Sequence, residues 1–283
     1  MLFIRPDRPI NPRTIEVMRE VDTITREIGL RYFVCGAMAR DILLLHVHGI
    51  EPETATVDVD FGIAVENWQQ FEDIKARIIG TGRFEAVKNM SQRLFFKSGT
   101  SGYRHPLDII PFGNVENPPN SITWPPDGDV TMNVIGYVEA LENIVAVQIE
   151  KDLSVPVISL PGLAILKLFA WTDRGSYNSK DALDFATLLL RYHEAGNQDR
   201  LYGEELAILA VAEYDLQNAG TQLLGKDVRG ITKPETLARI LAILNDAKLA
   251  DRLATHIAPR VRYADDRIVE AKRILEAFRA GLN

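Results

Sequence analysis

Apolar residues along the first third of the chain repeat with two different periods. From Pro12 to Gly29 they fall at Ile15, Met18, Val21, Ile24 and Ile28, a spacing that gives a helix one buried stripe. Asn11 is a cap, Pro12 suits the first helical position, and Gly29 ends the run. Short apolar runs at Arg31–Cys35 and Thr56–Val65 then read as strands. Between them a helix from about Ala37 to His48 carries Met38, Ile42 and Leu45 at helical spacing, and Glu51–Thr54 is a loop. A further helix is expected over Glu66–Ile79, with Trp68, Phe71, Ile74 and Ile78 on its core face. Strands are expected at Phe84–Lys88, Arg93–Lys97 and Tyr103–Ile110, the last two joined by a tight turn at Ser98–Gly102. This interleaving favours an α/β or α+β domain with a mixed sheet flanked by helices.

Asn114–Asp129 is rich in Pro, Asn and Gly and reads as a long surface excursion, in which Trp124 is either an anchored loop aromatic or a base-stacking residue. A short helix to about Leu141 and paired strands ending at Val155–Ser159 follow. After Leu160-Pro161-Gly162 the pattern is almost wholly helical, so the chain divides into residues 1–160, an α/β domain, and residues 161–283, an all-helical region. Long helices are expected there at Leu201–Ala219, Pro234–Leu249 and Arg260–Leu282.

Against this pattern a few polar residues stand out. Asp58 and Asp60 share one face of their strand while Val57, Val59 and Phe61 take the other. Two adjacent carboxylates repel unless a positive charge lies between them, and a divalent cation is the usual resolution. The Gly36-Ala37 turn opens a helix whose N–H groups suit phosphate, so the two motifs point to one site for a nucleoside triphosphate and Mg²⁺ or Mn²⁺. Arg40 and Asp41 either anchor that helix or reach the triphosphate. Asp108 is the sole charge in an apolar strand pattern, which by itself reads as a strand-edge residue capping the turn at Pro111. Lys167 interrupts a segment apolar almost all round and needs a partner, whether an anion in a cleft or an acidic residue of a neighbouring helix. Asp181 and Asp184 lie one turn apart on the next helix. His46 and His48 have no companion ligands at metal spacing.

Composition adds bounds. The 283 residues are 46% hydrophobic and 25% charged, enough for one large or two modest cores. With 32 basic and 39 acidic residues the net charge is −7, so bulk charge does not hold nucleic acid, although a basic tract at Arg267, Lys272, Arg273 and Arg279 is a candidate guide for an RNA acceptor. The single cysteine, Cys35, excludes an intramolecular disulfide and a Cys-based zinc site, which suits a reducing cytoplasm. No apolar run is long enough for a membrane span, and the first residues lack a signal-peptide core.

Gly36-Ala37-Met38-Ala39-Arg40-Asp41 followed by Asp58-Val59-Asp60 resembles the signature of the polymerase-beta-type nucleotidyltransferase superfamily. Lys167 with Lys180-Asp181-Ala182-Leu183-Asp184 is similar to its AbiEii-type subgroup, which includes toxins of bacterial toxin–antitoxin pairs. The likeness runs from about Phe33 to Leu190 and leaves the last helices unmatched. It implies transfer of a nucleoside monophosphate from an NTP to an acceptor hydroxyl of RNA, tRNA or protein, with an antitoxin protein as a partner. It implies Asp58, Asp60 and Asp108 as metal ligands and Gly36, Ala37, Arg40 and Asp41 around the nucleotide. Lys167 becomes a triphosphate contact, and Asp181 or Asp184 a distal acidic residue of a helical domain that completes the site. Ala37 departs from the family's usual Ser and removes a hydroxyl from the phosphate cradle. CCA-adding and poly(A)-polymerase-like enzymes share the entry motif and supply an alternative, as does a weakly catalytic nucleotide- or partner-binding member.

Overall fold

The computed structural model describes residues 1–54, 56–88, 90–97, 104–126, 128–262 and 264–283. The turn expected at Ser98–Gly102 and the start of the next strand at Tyr103 lie outside them. The chain divides into two compact units, Met1–Ser159 and Leu160–Asn283.

The first unit runs β1 (Leu2–Phe3), α1 (Pro12–Glu27), β2 (Tyr32–Cys35), α2 (Gly36–Asp41), β3 (Val59–Val65), α3 (Trp68–Gly80), β4 (Phe84–Val87), β5 (Met90–Lys97), β6 (Arg104–Gly113), β7 (Ser121–Thr123), β8 (Thr131–Asn133), α4 (Tyr137–Glu142), β9 (Ile144–Glu150) and β10 (Leu153–Ile158). Its described residues form an eight-stranded mixed sheet in the order β1-β9-β10-β2-β3-β6-β5-β4, flanked by helices. The central β3 pairs antiparallel with β2 and parallel with β6, and β6 pairs antiparallel with β5.

Alternation along these strands explains both faces. Val59, Phe61 and Ile63 are buried on one face, where the Tyr32 ring lies 5.8 Å from that of Phe61 and its hydroxyl donates to Asp22 of α1. The other face carries Asp60, Gly62 and Ala64 of β3 beside Asp108, Ile110 and Phe112 of β6. Gly62 leaves room there for the Phe33 ring, which packs against Phe112 and Tyr137 at 5.8 and 5.9 Å. The same face is therefore an aromatic core at one end and a carboxylate-bearing surface at the other.

Three expectations change in detail. The helix after Cys35 is α-helical only to Asp41 and continues as a π-helix, Ile42–Val47. The excursion after Asn114 contains the β7–β8 hairpin, and Trp124 is buried against Trp68 and Phe71 at 5.6 and 5.7 Å, which makes it the anchored aromatic. The strand of the Asp-x-Asp motif begins at Val59, so Asp58 sits just before it.

The second unit is helical: α5 (Leu160–Arg174), α6 (Lys180–Arg191), α7 (Gln198–Tyr202), α8 (Leu206–Val211), α9 (Leu216–Ile231), α10 (Pro234–Asn245), α11 (Ala247–Ile257) and α12 (Arg267–Leu282). Expected long helices are broken where the backbone turns. Glu213 and Tyr214 adopt positive φ between α8 and α9, and Asp246 caps α11 by accepting from the Lys248 and Leu249 N–H groups. The pair α9 and α12 approaches so closely that a β-carbon on Gly225 would stand 2.1 Å from the Phe278 carbonyl oxygen. Among the described residues, no helix is long and apolar enough to cross a membrane.

Candidate active site

The sheet register builds the first part of the site. Asp60 is the Cα partner of Asp108 across the parallel β3–β6 pair, and Cys35 faces Asp60 across β2–β3. Neighbouring strands stand about 4.8 Å apart, so the two carboxylates rise side by side from one face. Asp58 lies just ahead of the strand, with its carboxylate 3.7 Å from the Arg93 side chain that also reaches Asp108.

Gly36 presses the turn onto this row. Its φ is +66°, and a β-carbon there would fall 1.8 Å from the Asp60 Oδ2 atom. Glycine thus meets two demands at once, a left-handed backbone and the close approach of a carboxylate. The residues behind it are internal supports. Arg40 and Asp41 are both buried, and Arg40 donates to Asp41 and to the Thr54 carbonyl, tying α2 to the loop that leads into β3. These contacts are of the kind the anchoring alternative asks for. Cys35 is a buried free thiol.

The positive charge among the carboxylates is one that the sequence reading missed. Arg93 of β5 is the antiparallel partner of Asp108, and its guanidinium donates through Nε to Oδ1 at 2.7 Å and through Nη2 to Oδ2 at 2.6 Å. The same Nη2 lies 3.7 Å from the Asp58 carboxylate. Hydrogen bonding to Asp108 holds the Arg93 pKa above its ordinary value against the opposing effect of burial, and the charges of Asp108, Asp58 and Asp60 add to it. A signal for this pairing was present: in an antiparallel hairpin turning at Ser98–Gly102, Arg93 and Asp108 are nearly equidistant from the turn.

The donor set fits a hard cation, since three carboxylates lie at the edge of one sheet face. Yet among the described residues no three Asp, Glu, His or Cys side chains are gathered closely enough to hold a metal ion. Both Asp108 oxygens are turned to Arg93 instead.

In the second unit, α5 and α6 bring together Lys167, Asp181 and Asp184. Lys167 Nζ lies 2.6 Å from Asp184 and 3.2 Å from Asp181, and Arg174 reaches Asp181 at 2.8 Å. Burial acts to lower the Lys167 pKa, and the two carboxylate charges outweigh it, so the ammonium is held above its ordinary value. This is the interhelical ion pair of the sequence reading. The C-terminal cations are also engaged: Lys272 pairs with Asp251, Arg273 with Glu270 and Asp215, and Arg279 donates to Asn245. Among the remaining polar groups, His46 Nδ1 lies 2.7 Å from the Arg8 carbonyl, and burial lowers the pKa of His48.

Comparison with known proteins gives three results. The family described as "Nucleotidyl transferase AbiEii toxin, Type IV TA system" matches residues 34–281, so the match extends through the C-terminal helices that the motifs left unassigned. No curated protein matches the chain. Among solved structures, it is similar to an antigenic nucleotidyltransferase-like protein from Paracoccidioides brasiliensis, with TM-score 0.43 and 13% identity over 74% of this chain and 93% of that one. It is also similar to the antibiotic-resistance factor ANT(2'')-Ia, with TM-score 0.38 and 11% identity over 72% and 99% of the two chains. A CCA-adding enzyme in complex with ATP gives TM-score 0.26 and 17% identity over 93% and 66%.

Proposed function

The chain belongs to the AbiEii nucleotidyltransferase family, and from that premise we propose that it transfers a nucleoside monophosphate from an NTP to an acceptor hydroxyl with a divalent metal ion, Mg²⁺ or Mn²⁺. The observation that carries the reading is the row formed by Asp60 and Asp108 in register, with the Gly36 turn pressed against Asp60. Asp58, Asp60 and Asp108 would hold the metal. When bound, it supplies charge neutralisation at the triphosphate and at the developing pyrophosphate.

The chain's own residues carry the remaining roles. Gly36 and Ala37 present backbone N–H groups to the phosphates, which serves without the hydroxyl that Ala37 lacks. The acceptor oxygen attacks the α-phosphorus, the bond to the β-bridging oxygen breaks, and pyrophosphate leaves with that electron pair. Asp108 takes the hydroxyl proton or serves as a ligand on that side. Lys167 is assigned to triphosphate neutralisation and Asp181 or Asp184 to the distal acidic role. RNA, tRNA or protein is the acceptor, in a reducing cytoplasm, and an antitoxin protein is the partner that the family name suggests.

The test is label transfer from each α-³²P NTP, with Mg²⁺, into total RNA and into lysate protein. Wild type transfers label to one acceptor class, and the Asp58→Asn, Asp60→Asn double variant does not. A folded wild type that labels nothing with any nucleotide sinks the reading.

A further inference from the structure

Arg93 holds Asp108 in a bidentate pair. Its fork covers both carboxylate oxygens, and the same guanidinium faces Asp58. A divalent cation on Asp108 needs at least one of those oxygens, and a guanidinium and a dication in contact with one carboxylate also repel each other. That repulsion favours release of the guanidinium when the cation binds. A strand holds the Arg93 backbone in place, so the release is a side-chain movement, and the side chain is long and a quarter exposed. The displaced guanidinium is planar and doubly donating, a shape that fits phosphate oxygens as well as it fits a carboxylate.

We propose that Arg93 is a built-in counter-cation that holds Asp108 until a divalent cation and a nucleoside triphosphate arrive together, the cation taking Asp108 and the triphosphate taking the guanidinium. The inference rests on the metal-dependent reading given above and deepens it. Its consequence is that the metal alone binds weakly, because it must expel a bonded cation that has found no new partner. Metal and nucleotide then reinforce one another's binding, by a coupling that is equal in both directions. A purely architectural cross-strand pair makes the opposite forecast, since its removal loosens the hairpin and creates no gain in affinity.

The experiment titrates Mn²⁺ alone into the full chain and reads free Mn²⁺ by electron paramagnetic resonance. It compares wild type with Arg93→Met, which keeps the side-chain length without the charge, and with Arg93→Gln, which keeps a polar group if the methionine variant does not fold. The neutral variants are expected to bind Mn²⁺ on the order of tenfold tighter than wild type, with the gain abolished by adding Asp108→Asn. If wild-type binding depends on Asp60, as judged by Asp60→Asn, and yet a folded Arg93→Met or Arg93→Gln binds no tighter, the counter-cation inference is overturned while the metal site stands. If neither wild type nor the folded neutral variants bind Mn²⁺, the inference falls, and the metal-dependent reading is judged separately by whether label transfer requires added Mg²⁺ or Mn²⁺.

Discussion

At Gly36 the backbone and a carboxylate compete for the same space, and a methyl group there would have to displace Asp60 Oδ2 from 1.8 Å. Gly29 provides an internal comparison. It too has positive φ, +70°, but nothing lies within 4 Å of its added β-carbon. Left-handed backbone costs an alanine about 1–2 kcal/mol, so both Gly36→Ala and Gly29→Ala should lower the urea midpoint by a comparable strain term. Only Gly36→Ala should also push Asp60 out of the row, and label transfer should fall to background in that variant while Gly29→Ala keeps it. Equal activity in the two variants would mean that the contact between turn and carboxylate has no part in the site. Arg93 shows the limit of single-residue reading. As one polar position of a strand it says only which way it faces, and its meaning depends on the register of β5 against β6.

At the scale of elements, alternation and glycine punctuation were enough to find most strands and helices of the first unit, because each buries one face against a layer and so writes its period into the sequence, whereas the two- and three-residue strands β1, β7 and β8 are too short to show one. Breaks within the helical unit were harder to see. The interruption between α8 and α9 is made by Glu213 and Tyr214 in left-handed conformations, residue types that announce no turn. The pair of α5 and α6 carries a prediction of its own. Lys167 is 11% exposed and paired with Asp184 and Asp181, and Arg174 supports only Asp181. Removing one partner of a buried pair leaves an uncompensated charge and costs roughly 3–5 kcal/mol. Lys167→Met should therefore be strongly destabilised in chemical denaturation, and the Lys167→Met, Asp184→Asn double variant should recover much of the loss. If the double variant is folded and still transfers label at the wild-type rate, Lys167 is architectural only and its assignment to the triphosphate fails. A folded double variant with little transfer keeps the Lys167–Asp184 pair in the chemistry, and a folded Asp184→Asn single variant that still transfers label then assigns the loss to the lysine.

For the whole molecule, charge decides how an acceptor can be held. The net charge is −7, and three of the basic residues of α12 that suggested an RNA guide, Lys272, Arg273 and Arg279, are engaged by Asp251, Glu270, Asp215 and Asn245. The sequence shows where these cations fall and sets Glu270 three residues before Arg273 on the same helix, but the partners Asp251, Asp215 and Asn245 lie outside α12 and are seen only after folding. The match over residues 34–281 shows in the same way that the C-terminal helices belong to the family, although they carry no short motif. If the acceptor is RNA, such a chain should engage it through few phosphates. With about two contacts to a single strand, the slope of log K against log salt is about −1.4, and affinity falls roughly sevenfold between about 50 and 200 mM salt. Fluorescence anisotropy of labelled tRNA across that range measures the slope directly. A slope of about −5 or steeper requires seven or so phosphate contacts. It would show that the α12 cations exchange their internal partners for RNA, reversing the assignment of that helix to a neutralised surface.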